Sequence, residues 1–203
     1  MSLLFETIKC ENRQLHNLKY HDLRVRHSLN RLFKINDDFS FENTIKIPDW
    51  VGEGLYRCRV SYSRNIEKID FFPYEYKHPK KIQLVEDKSI KYPLKFEDRS
   101  SFNHLLNSFP EVDDIIIAQN NYLTDSTFAN IALFDGVKWV TSITPILYGT
   151  KRSFLLENQM LFLDEIYIKD LKFFKKIALI NAMRDLDLAY QFEVSKNIIS
   201  IKK

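Results

Sequence analysis

The run Tyr92-Pro93-Leu94-Lys95-Phe96-Glu97-Asp98-Arg99 sets one amine in a largely apolar segment. One strand-and-turn unit later comes Thr124-Asp125-Ser126-Thr127-Phe128-Ala129-Asn130-Ile131, an acid at the end of a strand. Further on, Gly149-Thr150-Lys151-Arg152 is a tight turn that opens a helix, and a helix start is ready to receive an anion. An amine on an apolar segment, an acid at a strand end and an anion-ready helix start thus stand in this order along the chain.

Working outward from these stretches, residues 99–109 suit a helix, and 114–119 read as a buried strand ending in the turn Asn120-Asn121. Strands over 130–134 and 138–141 flank Asp135-Gly136, a strong hairpin signal. A helix over 151–157, a strand-rich stretch over 160–168, a short helix over 169–174 and strands over 177–181 and 191–201 complete the C-terminal part. Upstream, 5–9 is a strand followed by a turn at Asn12-Arg13. From His21, the apolar Leu23, Val25, Leu29, Leu32 and Phe33 recur at mostly helical intervals, with Arg24, Arg26 and Arg31 on the other faces. Residues 54–62 alternate apolar with polar as a half-buried strand does, 66–72 continue as its hairpin partner, and 82–85 form one more strand. Charge rises and the apolar pattern lapses near 86–92, which places a boundary there. The expectation is an α+β protein with an N-terminal lobe over 1–88 and a C-terminal lobe over 89–203.

Composition narrows the function classes. The chain has 203 residues, 45% hydrophobic and 28% charged, enough apolar material for one sizeable core or two small ones. Net charge is +3 with basic residues scattered among acids, so no nucleic-acid footprint is expected; the run Tyr76-Lys77-His78-Pro79-Lys80-Lys81 reads as a solvated connection. Cys10 and Cys58 lack the spacing of a metal knuckle and are too few for a disulfide framework, so no metal is expected and a reducing cytoplasm fits best. Glu6 interrupts any N-terminal apolar run, and no later stretch is long and apolar enough to span a membrane, so a soluble protein is expected. G-x-G-x-x-G and Walker patterns are both absent.

The motifs carry a family resemblance. Phe5-Glu6-Thr7-Ile8, Tyr20-His21-Asp22-Leu23-Arg24-Val25, Lys95-Phe96-Glu97-Asp98-Arg99, Thr124-Asp125 with Asn130-Ile131, Gly149-Thr150-Lys151-Arg152 and Ile180-Asn181-Ala182 follow one another in the family's order. In this the chain resembles a short member of the class IV aminotransferase family of fold-type IV pyridoxal-phosphate enzymes, which includes branched-chain and D-amino acid aminotransferases and 4-amino-4-deoxychorismate lyase. The resemblance implies an N-terminal α/β sandwich lobe, a C-terminal barrel-like α+β lobe, pyridoxal 5'-phosphate in the cleft between them, and a homodimer.

It also implies roles. Lys95 matches the lysine that links covalently to the cofactor; such a lysine must spend time as the neutral amine, and Pro93, Leu94 and Phe96 could desolvate it. A surface lysine is the other reading of that residue alone. Asp125 stands where the family usually places a glutamate facing the pyridine nitrogen; a turn-forming Thr-Asp pair would explain those two residues but not Asn130-Ile131 at the expected offset. Gly149, Thr150 and Lys151 match the phosphate-holding turn, with glycine permitting the turn geometry and Thr150 then Lys151 where the family has a bulky apolar residue then threonine. A purely structural glycine turn before a helix is the alternative. Arg24 matches an arginine that pairs with the phosphate, against a solvated helix face, and His21 reads as a helix-start or packing residue. Arg59 lies on the strand where relatives recognise substrate, or else on an exposed strand face. Arg99, four residues after Lys95, and Asn181 resemble the lyase branch. The expected reaction is pyruvate release from aminodeoxychorismate to give 4-aminobenzoate, a step of folate biosynthesis. The alternatives are an aminotransferase acting on a branched-chain or D-amino acid, and a degenerate relative kept as a binding module.

Overall fold

The computed structural model describes residues 3–77, 79–186, 191–194 and 198–202. The chain divides into two compact units, one of Met1–Tyr76 with Leu94–Asp98 and one of Lys77–Pro93 with Arg99–Lys203. It therefore passes between units three times, rather than once near residue 88.

The first unit is a four-stranded antiparallel sheet in the order β2-β1-β3-β4, built from β1 (Leu4–Glu11), β2 (Gln14–Leu15), β3 (Leu55–Tyr62) and β4 (Ile66–Pro73). Helix α1 (Leu18–Phe33) and the short α2 (Phe41–Thr44) accompany it. The β1–β2 turn holds Asn12 and Arg13 at φ 49° and 61°, the left-handed pair that two-residue hairpin turns require. Arg13 is an unusual occupant of that region, and its guanidinium donates to the carbonyls of Pro48 (3.0 Å) and Val51, pinning the loop before β3. Along α1 the buried residues are His21, Val25, Ser28 and Leu29, spaced as one helix face. Leu23, expected on that face, is 52% exposed, while His21 takes an inward place. Leu4, Ile8, Val25, Leu29, Val60 and Leu94 belong to this unit's core.

The second unit is a larger mixed sheet in the order β10-β9-β8-β7-β6-β5-β13. Its strands are β5 (Ile82–Glu86), β6 (Asp114–Gln119), β7 (Tyr122–Ser126), β8 (Asn130–Phe134), β9 (Trp139–Ser142), β10 (Phe162–Asp164), β11 (Lys176–Ile180), β12 (Gln191–Glu193) and β13 (Ile198–Lys202), with helices α3 (Ser100–Asn107) and α4 (Thr150–Glu157) and a 3₁₀ turn at Ile168–Phe173. Ile115, Ile116 and Ile117 on β6 are all fully buried, so this strand is covered on both faces and reads as a continuous apolar run. Asn120 and Asn121 (φ 53° and 67°) turn β6 into β7, a strand that periodicity does not announce because Thr124, Asp125 and Ser126 are buried polar residues. Strand β5 pairs in parallel with β6 and β13, which places residues 82–86 in the second unit. The single strand expected over 191–201 is two, β12 beside β11 and β13 beside β5; residues 195–197 lie outside the described residues. Among the described residues no helix is long and apolar enough to cross a membrane, and no group of three or more His, Cys, Asp or Glu could hold a metal ion. Cys10 and Cys58 are buried free thiols, and burial pushes Cys58 up to about 12.

Candidate active site

In the first unit, β1 gathers the candidate side chains. The segment Leu94–Asp98 runs beside it: the Phe5 N–H donates to the Lys95 carbonyl (2.9 Å), the Glu97 N–H donates to the Leu3 carbonyl (2.9 Å), and Leu4 bridges Phe96. This pairing fixes Lys95 over Phe5, with Nζ 4.6 Å from the ring centroid. Arg59, on β3 opposite Thr7, lies over the same ring at 4.0 Å. Its Nη2 donates to Glu97 Oε1 (3.0 Å), and Ser61 Oγ donates to that same oxygen. Lys95 and Arg59 are thus two half-buried cations on one aromatic ring, the second oriented by a carboxylate two residues from the first.

Glu6, fully buried, joins two of the motifs. Arg24 Nε donates to its Oε1 (2.8 Å), Arg24 Nη2 to its Oε2, and His21 Nδ1 lies 2.6 Å from Oε2. Burial alone would raise this carboxyl, but the Arg24 charge and the bonds from His21 and Arg24 bring it down to about 2. Burial outweighs the attraction of Glu6 and depresses His21, and the Arg24 and Lys95 charges add to that. Burial and these charges thus favour the neutral form of the His21 ring, with Nδ1 set against Glu6 Oε2. Arg24, expected at a phosphate, has one full edge of its guanidinium committed to Glu6. A carboxylate depressed in the folded state stabilises it above the unfolded value of 4.5 and loses that contribution as pH falls toward 2. Glu6→Gln should leave Arg24 without its buried counterion, cost about 3 kcal/mol, and flatten the stability profile below pH 4.5 in urea titrations.

In the second unit, Asp125 ends β7 in register with Asn130 at the start of β8. Asn130 Nδ2 donates to Asp125 Oδ1 (2.7 Å), and the Leu147 N–H donates to Oδ2 (2.9 Å). Burial raises the Asp125 carboxyl to about 6, against these bonds and the charge of Arg152. Arg152, 4% exposed, donates from Nη2 to the Ser142 carbonyl (2.8 Å). Gly149 precedes α4, which begins without a side-chain cap. Its φ of −73° and ψ of 142° are open to any residue, so backbone freedom is not why glycine stands here. The reason is space: a Cβ at 149 would fall 1.9 Å from Asn130 Oδ1. Thr150 is buried at the first helical position, while the Lys151 side chain turns to Asp185.

Arg99 and Asn181 converge on the loop between Asp125 and Asn130. Arg99 Nη2 donates to the Thr127 carbonyl, and Asn181 Nδ2 reaches the Phe128 carbonyl at 3.4 Å. The guanidinium of Arg184 lies 4.5 Å over the Phe128 ring, and Thr127 Oγ1 donates to Asp114, a buried carboxyl raised to about 6 by desolvation. Asn130, Arg152, Asp114 and Arg184 were not among the sequence-derived site residues. Asn130, by its spacing from Asp125, and Arg152, by its place in Gly149-Thr150-Lys151-Arg152, carry a signal in the sequence; Asp114 and Arg184 carry none.

No protein-family model matches the sequence. A Haemophilus influenzae protein of uncharacterised function is 35% identical over 188 residues, covering 90% of this chain and 98% of that one. A solved structure from Haemophilus somnus, provisionally assigned as a 4-amino-4-deoxychorismate lyase, is 33% identical with a TM-score of 0.83 over 92% of this chain and 98% of that one. The chain belongs to the class IV aminotransferase family of fold-type IV pyridoxal-phosphate enzymes. A Mycobacterium tuberculosis structure described as a hypothetical aminotransferase in its pyridoxal-phosphate-bound form shares that fold at 16% identity, with a TM-score of 0.73 over 90% of this chain and 78% of that one.

The side chains of this class IV member suit the family's cofactor. The Asp125 carboxyl accepts from Asn130, Leu147 and the Ile146 backbone, which leaves one of its about four lone pairs for a ring N–H. A carboxyl raised by burial gains most from a cation beside it. The helix start at Gly149, with no side chain capping it, offers backbone donors to a phosphate, and Lys95 supplies an amine on a fixed segment.

Proposed function

We propose that this protein is a pyridoxal-phosphate enzyme with the activity of 4-amino-4-deoxychorismate lyase, releasing pyruvate to leave 4-aminobenzoate. The observation that carries the reading is the joining of Asp125, Asn130 and Gly149 into one hydrogen-bonded and packed group. The near full-length likeness to the Haemophilus somnus protein supports the choice of lyase.

When bound, the cofactor supplies an electron sink for the carbon next to the substrate amine. The rest falls to the chain. Lys95 Nζ would be the amine that holds the cofactor and, as a free amine, would carry protons at the reacting carbon. Asp125 would keep a proton on the ring nitrogen, the Gly149 turn with Thr150 and the Lys151 backbone would receive the phosphate, and Arg24 would be a further cation. Arg59, oriented by Glu97, receives a substrate carboxylate beside Lys95. The loop held by Arg99 and Asn181 carries the backbone next to Asp125. We take the working form to be a homodimer, as family membership suggests.

Incubation of the cofactor-loaded protein with aminodeoxychorismate should release pyruvate and 4-aminobenzoate in equal amounts. Amine transfer to a 2-oxo acid without pyruvate release would replace the lyase by an aminotransferase. Neither reaction, with no cofactor uptake, would leave a binding module.

A further inference from the structure

We infer that Asn130 is a positioning residue that locks the Asp125 carboxylate to the Gly149 turn. The inference deepens the proposed function, resting on it for the cofactor and on this chain alone for the lock. One amide does both tasks. Nδ2 spends its two hydrogens on Asp125 Oδ1 (2.7 Å) and the Leu147 carbonyl (2.8 Å), and Oδ1 fills the space a side chain at 149 would need. Rotating the amide by half a turn would face its oxygen to a carboxylate oxygen and a carbonyl oxygen, two repulsive contacts, so this orientation is the one the chemistry allows. Leu147 completes the lock, giving its N–H to Asp125 Oδ2 and its carbonyl to Asn130.

Neither neighbouring residue type reproduces this. Aspartate at 130 would set a second carboxylate against Asp125, and leucine or alanine would leave Asp125 Oδ1 and the Leu147 carbonyl without their donor. The other charged group facing Asp125 is Arg152 on α4, whose charge favours the ionised carboxyl; Tyr148 lies beside Arg152 with its ring centroid 5.7 Å from the guanidinium. Arg152 bonds from Nη2 to the Ser142 carbonyl rather than to Asp125, and the other donors to the Asp125 carboxyl are the backbone N–H groups of Leu147 and Ile146.

Two measurements on the cofactor-free protein test the lock directly. Titration of the Asp125 carboxyl by carbon-13 NMR should place its midpoint near 6 in the wild type and at least ~1 pH unit higher in Asn130→Ala, since a donor to the ionised form is lost. In thermal unfolding, Gly149→Ala should be strongly destabilising alone and nearly neutral in the Asn130→Ala background, where the obstructing oxygen is gone. An unmoved Asp125 midpoint, or a Gly149→Ala effect that is the same in both backgrounds, overturns the inference. Should Asn130→Ala not fold, Asn130→Ser, which can donate to only one of the two acceptors, takes its place in both measurements with the same criteria. Equilibrium dialysis with pyridoxal phosphate then extends the test: the wild type should bind at least ~10-fold more tightly than the Asn130 variant, as expected when a buried polar contact is left unmade. If the wild type itself takes up no cofactor, the proposed function fails while the titration and the double variant still decide the role of Asn130.

Discussion

Lys95→Ala should cut turnover by at least about 10²–10⁴-fold from the lost proton transfer alone, and should remove the visible absorbance band of covalently attached cofactor. The fold should survive. The backbone bonds that hold the segment, Phe5 N–H to the Lys95 carbonyl and Glu97 N–H to the Leu3 carbonyl, do not depend on the side chain. Among what alanine forfeits is the ammonium over Phe5, a contact worth on the order of 0.5–1 kcal/mol for a partly exposed pair. The comparison lysine is Lys151, buried and matched to the phosphate turn but paired with Asp185. Lys151→Met should keep the band. A surface-lysine role for Lys95 predicts the reverse pattern, with absorbance and turnover both unaffected by its removal.

Asp125→Asn separates activity from stability. Burial raises this carboxyl from 3.8 to about 6, so the folded protein holds the proton more tightly than the unfolded chain does. The sign follows: between pH 4 and 6 the unfolded state has already lost its proton, and stability declines as pH rises through that window. An amide at 125 removes that decline, a relief of roughly 3 kcal/mol at neutral pH. Against it, an Asn side chain presents an NH₂ to the Leu147 N–H or to Asn130, costing about 1–3 kcal/mol for the unmade bond. The variant should unfold within a few degrees of the wild type with a flatter profile from pH 4 to 6. Its turnover should nevertheless fall by about 10²–10³-fold, the scale set by removing one preorganised electrostatic partner. Cofactor affinity in the wild type should rise as pH passes 6 and Asp125 ionises; in the variant that step should vanish. An unchanged pH dependence would place the ring-nitrogen contact elsewhere.

Local signals served where structure is local. The alternation over Leu55–Tyr62, the Asp135-Gly136 hairpin and the apolar run of β6 each declare a strand through residues close in sequence, and all three are present. Long-range pairing leaves no such mark. Nothing in residues 94–98 shows that they return to β1 and join the first unit, although that return positions Lys95. The parallel pairing of β5 with β6 is equally silent, which is why 82–86 reads as an appendage of the wrong lobe. On α1 the apolar count chose Leu23 for the core, because hydrophobicity cannot show that a buried Glu6 waits for His21 and Arg24 on the inner face. The same limit governs the candidate site. Lys95, Asp125 and Gly149 were visible as motif residues, but the reason for glycine at 149 is the oxygen of Asn130, nineteen positions earlier in the chain. Arg99 and Asn181 were legible as charged or polar groups of the right type, while their common target, two carbonyls of the loop after Asp125, became evident only in three dimensions.

The most direct test incubates the wild-type protein with pyridoxal phosphate, fixes the imine with borohydride, digests the product and locates the modified lysine by mass spectrometry. A single pyridoxyl mark on the peptide carrying Lys95 is the predicted result. No stable mark, or a mark on Lys151 or any other lysine with Lys95 unmodified, would contradict it.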